Sequence, residues 1–164
     1  MGRNDVFLVL GLAAAAAVLK IIEGQTLPVE PFAEREPPTS CDTTPKPGVI
    51  RFRDYVLKTF GGLSAGIERN CEKGNASHHH EGRAWDWGGV WPGDPKVAKL
   101  IAYLFDNDAA NFRRLGLQYV IWNRKIFTST RPEWVTYSGA NPHTDHMHIS
   151  FSWSGANAQT SWFQ

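Results

Sequence analysis

The sequence predicts an α+β domain, a small antiparallel sheet with flanking helices, preceded by an N-terminal hydrophobic helix. Three observations lead there. An apolar run, Val6–Ile22, opens the chain and is broken only by Lys20. Further on, Asp94–Pro95 places a capping residue and a first-turn proline ahead of Val97, Leu100, Ile101, Leu104 and Phe105, which share one helical face. Short β-branched and aromatic runs, LQYVIW at Leu117–Trp122 and MHISF at Met147–Phe151, have the length and composition of strands.

Taken in order, Val6–Ile22 would reach roughly 25 Å as a helix, just short of a ~30 Å hydrocarbon core. Residues 1–23 are expected to be a retained membrane anchor, with a cleaved signal segment and a buried core helix as the alternatives. Arg3 and Lys20 nearly balance, so orientation stays open. Residues 24–48 hold Pro28, Pro31, Pro37, Pro38, Pro45 and Pro47 and read as an extended, semi-rigid spacer. Residues 49–164 are the folded domain. Val49–Phe60 has a helical apolar face ended by Gly61–Gly62, and a short strand is expected around Ile67. Glu72–Ala76 is a polar loop. Trp85–Gly93 reads as strand then turn. Asn123–Arg124 turns Leu117–Trp122 into a partner, Lys125–Ser129. Arg131–Pro132 and Gly139 mark a loop, and the tail from Gly155 carries no clear pattern.

The chain has 164 residues and no internal repeat, which suits one domain with an appendage. Its formal charge is +1 and it shows no basic stripe, so a nucleic-acid partner is not expected. Of the seven tryptophans, Trp85 and Trp87 are expected to divide between core and site wall, and Trp122 and Trp153 to be core. Cys41 and Cys71 are the only thiols. In an oxidising compartment they could close one disulfide loop of about thirty residues, worth roughly 3–4 kcal/mol in the chain-entropy model. Two unrelated buried thiols are the alternative.

Two stretches carry the chemistry. SHHHEGRAWD, Ser77–Asp86, offers His79 and Asp86; NPHTDHMHIS, Asn141–Ser150, offers His148 with Asp145 three residues ahead. Three protein ligands and one open position make a catalytic zinc site, because the open position holds the reacting water. Gly82 suits a chain that must turn or approach the metal closely. On a strand His146 and His148 point to one face. Asp145 falls at the strand mouth, where a bend can aim it inward. Ser77 reads as a turn or capping residue, and no serine or cysteine nucleophile is paired with a histidine. His78 and His80 read as solvent-facing or as neighbours that support the ligand.

These residues resemble a known family. SHHHEGRAWD fits S-x-H-x-x-G-x-A-x-D, and DHMH fits a closing D-x-x-H overlaid by H-x-H. Together they resemble the zinc peptidases of the D-alanyl-D-alanine carboxypeptidase, lysostaphin and Hedgehog-domain superfamily. YVIWNRKIF and NPHTDHMHIS look closer still to a small actinobacterial and phage cell-wall domain within it. The likeness spans roughly Val49–Ser152. It implies one Zn2+ held by His79, Asp86 and His148, Asp145 as general base, and His146 assisting at the bound water or oxyanion. It also implies an oxyanion-stabilising arginine, for which Arg69 is the best match. The implied function is hydrolysis of peptide bonds in peptidoglycan stem or cross-link peptides. The enzyme would be membrane-anchored and face the wall from a bacterial envelope or virion, with assembly partners there, or secreted if the leading segment is cleaved. A non-catalytic, zinc-containing wall-binding or scaffold module is the alternative. A metal-dependent nuclease is disfavoured by the neutral charge.

Overall fold

The computed structural model describes residues 30–71 and 76–164. The expected anchor at residues 1–23 therefore lies outside the described residues, as does most of the loop expected at Glu72–Ala76. No helix among the described residues is long and apolar enough to cross a membrane.

The domain is α+β with one antiparallel sheet of six strands. Helix α1 (Pro47–Phe60) leads to strand β1 (Leu63–Gly66), then a 3-10 turn at His78–Glu81, then β2 (Ala84–Gly88). Helix α2 (Pro95–Arg114) follows, then β3 (Leu117–Trp122), β4 (Lys125–Thr128), β5 (Arg131–Thr136), β6 (His146–Phe151) and a short α3 (Trp153–Ala156). A last 3-10 turn spans Ser161–Phe163. The strand order is β1-β2-β6-β3-β4-β5. The last long strand thus slots between β2 and β3, which brings the two motif stretches side by side.

Local chemistry explains most boundaries. Helix α2 starts where expected: Pro95 is at its first turn and Asp94 Oδ1 accepts from the Lys96 amide at 2.8 Å. Its Val97, Leu100 and Leu104 are buried, while Ile101 and Phe105 pack at the core's margin. The helix breaks at Asp106–Ala109, where Asn107, Asp108 and Ala109 take positive φ. Asn123 and Arg124, with φ of 45° and 63°, make the left-handed two-residue turn that joins β3 to β4. The strand expected around Ile67 ends at Gly66, just ahead of it.

Arg131–Thr136 is a strand, not the expected loop. Pro132 argues for a loop in the sequence because it cannot donate to a ladder. It is tolerated here because β5 pairs only with β4 and its other edge is open. The Pro-rich stretch also differs from the expected spacer. Residues 30–46 form no helix or strand, but they lie against the domain. The Phe32 ring sits 6.0 Å from Phe112, Gln118 Oε1 accepts from the Glu36 amide at 2.9 Å, and Cys41 is joined to Cys71 by a disulfide with Cα atoms 6.1 Å apart. Prolines keep a segment extended, and here the backbone groups they leave free are met by domain side chains.

The core lies between one sheet face and helices α1 and α2. Trp85, Trp87, Val120, Met147, Ile149 and Phe151 from the sheet meet Phe52, Val56, Leu100, Leu104 and Phe112. Phe52 makes edge contacts with both Trp85 and Phe151. Each such large apolar side chain, fully buried, contributes roughly 1.5–3 kcal/mol.

Candidate metal centre

The site is built on the opposite face of β2 and β6. These strands pair antiparallel in the register Trp85↔Ile149, Asp86↔His148, Trp87↔Met147, Gly88↔His146. Side chains alternate along a strand, so Asp86, His146 and His148 share one face and the tryptophans the other. Both Trp85 and Trp87 are fully buried in the core. Neither forms a site wall, because residues flanking Asp86 must point away from it. Their indole N–H groups donate to Ser64 Oγ and the Gly61 carbonyl.

His79 arrives from the 3-10 turn. Ser77 caps that turn, its side chain accepting from the His79 amide. Gly82 ends it at φ 62°, and a Cβ there would lie 2.0 Å from the Thr44 carbonyl oxygen. The close approach that needs glycine is therefore to the 30–46 segment, not to the metal set.

His79, Asp86 and His148 converge. His148 Nδ1 lies 2.9 Å from Asp86 Oδ1 and 3.1 Å from His79 Nε2, and His79 Nε2 lies 3.2 Å from Asp86 Oδ1. All three residues are buried, and the group could hold a metal ion. The donor set fits one. His79 Nδ1–H donates to the Ile67 carbonyl at 2.7 Å, which turns the Nε2 lone pair toward the other two. Burial holds His148 down to about 4, although Asp86 opposes the shift, so its imidazole is neutral at pH 7 and free to ligate. Burial would raise the Asp86 carboxyl, but contacts with His148 and His79 outweigh it and hold the group well below the usual range. Lone pairs of this kind crowd together stably only around a cation or shared protons. Tyr119 stacks on the His148 ring, with centroids 5.3 Å apart and planes 17° apart, and fixes its tilt.

The other expected residues surround this set. Arg69 Nη2 donates to Asp86 Oδ2 at 2.9 Å, and about half of its side chain remains exposed. His146 turns toward the site, with Nε2 buried, without a hydrogen-bond partner among the described residues, and 3.9 Å from Asp86 Oδ2. Its Nδ1–H donates to Asp145 Oδ1 at 2.7 Å. Asp145 itself is 85 % exposed. The hydrogen bond from His146 holds its carboxyl below the ordinary range. Asp145 thus reaches the metal set through His146 and does not point into it.

His143 was not singled out from sequence. It is buried, with its ring 4.8 Å from that of His146 and 5.8 Å from that of His148. A left-handed φ of 50° aims it there, and its Nδ1–H donates to the Asn141 carbonyl at 2.8 Å. The Asn-Pro pair just before it is the one local signal of such a turn. His78 and His80 are buried, not solvent-facing. His78 bridges Ser150 Oγ and the Glu36 carbonyl, and burial pushes it down to about 3, which makes it a neutral structural link. The His80 carbonyl accepts from the Asp42 amide at 2.8 Å.

Beneath the motif lies a buried ion pair. Glu81 Oε2 accepts from Arg83 Nε at 2.6 Å, and Glu81 Oε1 accepts from the Thr39 and Ser40 amides. Arg83 donates onward to the Phe151 and Glu36 carbonyls, both at 2.7 Å. Every polar atom of this pair is used, which is what allows it to be buried. It ties the 30–46 segment, the 3-10 turn and the end of β6 into one unit.

No curated protein and no solved structure matches the chain. One family model does, described as VldE, C-terminal domain, over residues 41–148. The match opens at Cys41 and closes at His148, so it takes in the disulfide, all three members of the metal set, and Arg69, Asp145 and His146. With well over half of its length covered, the chain belongs to the VldE, C-terminal domain family.

Proposed function

We propose that this domain is a zinc-dependent peptidase that hydrolyses peptide bonds in peptidoglycan stem or cross-link peptides. The observation that carries the reading is the convergence of His79, Asp86 and His148, with His146 Nε2 buried and aimed at the same point. In a tetrahedral zinc site with ligand bonds of about 2.0–2.1 Å, neighbouring ligand atoms stand roughly 3.3 Å apart. The separations of 2.9–3.2 Å are close to that spacing. Zinc held there by His79, Asp86 and His148 would supply an acidified water and an electrophile for the scissile carbonyl oxygen.

The remaining steps fall to the chain. Asp145 accepts the Nδ1 proton of His146 and so fixes its tautomer, leaving the Nε2 lone pair directed into the site. His146 is therefore the group that takes the proton from the attacking water and returns it to the leaving amine, and Asp145 orients it. This exchanges the two roles that the resemblance implies. Arg69 holds Asp86 through Nη2, and its half-exposed guanidinium lies at the opening, where it can stabilise an oxyanion. The substrate class is supported by the likeness of the paired motifs to wall peptidases. The Cys41–Cys71 disulfide agrees with an oxidising, extracytoplasmic setting.

Incubating the full chain with purified peptidoglycan, with and without His148→Ala, tests the reading. Released peptides identified by mass spectrometry, zinc-dependent and lost in the variant, are the expected result. Zinc bound with no wall chemotype cut would turn the reading to a binding or scaffold module.

A further inference from the structure

A hollow of about 260 Å³ lies beside the metal set, between the 30–46 segment and the sheet. Arg35, Pro37 and Pro38 form one side, and Tyr119, Thr128 and Thr130 the other. Tyr119 also stacks on His148, so a single ring separates the hollow from the metal ligands. Its volume suits one amino-acid residue of a substrate rather than a whole ligand.

The hollow's carboxylate, Glu36, is engaged through one oxygen: Oε2 accepts from the Trp153 amide at 2.6 Å and lies 4.0 Å from Arg83. Gln118 is committed to the Glu34 carbonyl and the Glu36 amide, and His78 to Ser150 and the Glu36 carbonyl. Less engaged among the described residues are the exposed Arg35 guanidinium, which makes no ion pair there, and the Thr130 hydroxyl, whose contact there is with Thr128 at 3.4 Å. The two prolines and the Tyr119 ring supply apolar walls.

From this arrangement we infer that the hollow is a substrate subsite whose specificity determinant is Arg35, and that it receives a carboxylate carried by the peptide next to the scissile bond. A guanidinium with free N–H groups is the side chain best matched to a carboxylate. The inference rests on the peptidase reading for the identity of its ligand, but its test does not.

The full chain, treated with EDTA to prevent turnover, is titrated with acetyl-L-Ala-γ-D-Glu-L-Lys-D-Ala-D-Ala and with two neutralised forms. One is amidated at the D-Glu carboxyl and the other at the C-terminus. One of these amidations is expected to weaken binding about tenfold, the usual worth of a charge-assisted hydrogen bond. That outcome names the carboxylate. Arg35→Ala should weaken the parent peptide by the same factor and leave that amidated form unchanged, and Arg35→Lys should restore part of the loss. Arg35 is exposed and makes no ion pair or hydrogen bond among the described residues, so an unchanged melting temperature is expected in the variant. With metal restored, Arg35→Ala should raise KM and spare kcat. Equal loss for parent and amidated peptides, no loss, or no binding of any of them overturns the subsite. Charge-dependent binding without cleavage by the metal-loaded protein leaves the subsite standing and overturns the peptidase reading.

Discussion

Strands β2 and β6 present two faces that share a backbone and almost nothing else. One face is Trp85, Trp87, Met147, Ile149 and Phe151, all fully buried against helices. The other is Asp86, His146, His148 and Ser150, a polar row that ends at the site opening. The apolar face offers no metal-ligating group, yet it sets the position of those on the other face. Side chains alternate with a period of two, so a one-residue slip would send the tryptophans to the site and Asp86 to the core. Hydrophobic packing is thus what places Asp86 opposite His148.

The comparison breaks most severely from the apolar side. Trp85→Ala removes a fully buried ring and should cost about 3–5 kcal/mol, read as a lowered urea midpoint. A loss under about 1 kcal/mol would mean that this face does not set the register. Next comes the disulfide. Replacing Cys41 and Cys71 by serine should destabilise the domain by roughly 3–4 kcal/mol. Metal affinity should fall as well, because Arg69 on the same loop loses its anchor beside Asp86. Unchanged metal affinity would separate the loop from the site.

The polar face should respond in the opposite manner, losing chemistry before stability. Asp145→Asn touches an exposed side chain, so the melting temperature should hold while kcat drops by about 10²-fold, the worth of a positioned proton-transfer group. A drop in stability with unchanged kcat would make Asp145 structural. The metal-free protein should in addition be acid-sensitive. Burial depresses His148 to about 4 and His78 to about 3 from an ordinary value of 6.5. The unfolded chain therefore binds more protons than the folded one below pH 6.5. Stability should be complete above that pH and fall as the pH drops toward 4 and then 3. A flat profile from pH 7 to 4 would contradict the depressed values.

How much of this was legible in the sequence follows from the same alternation. The i, i+2 rule put His146 and His148 on one face, and the structure agrees. Applied to Asp86, the rule would also have sent both Trp85 and Trp87 to the core, and the expectation that they divide failed for want of that step. The caps at Ser77 and Asp94 were readable because capping is local. What was not readable depends on distant partners. The 30–46 segment looked like a spacer because nothing within it marks Glu81, Arg83 or Gln118 as the groups that hold it. β5 was hidden by Pro132, whose acceptability depends on being at an edge. His143 enters the site only because its turn is held by the Asn123 and Arg124 amides donating to the carbonyls of His143 and Pro142.

The most direct measurement is the metal content and coordination of the full chain, by elemental analysis and X-ray absorption at the zinc edge, for the native sequence and His148→Ala. The account predicts about one zinc per chain, bound by two imidazole nitrogens and carboxylate oxygen. Since loss of a supporting contact alone costs 10–100-fold, His148→Ala should weaken affinity by at least about 100-fold. Failure of the native chain to hold zinc, or the same coordination in His148→Ala, would contradict it.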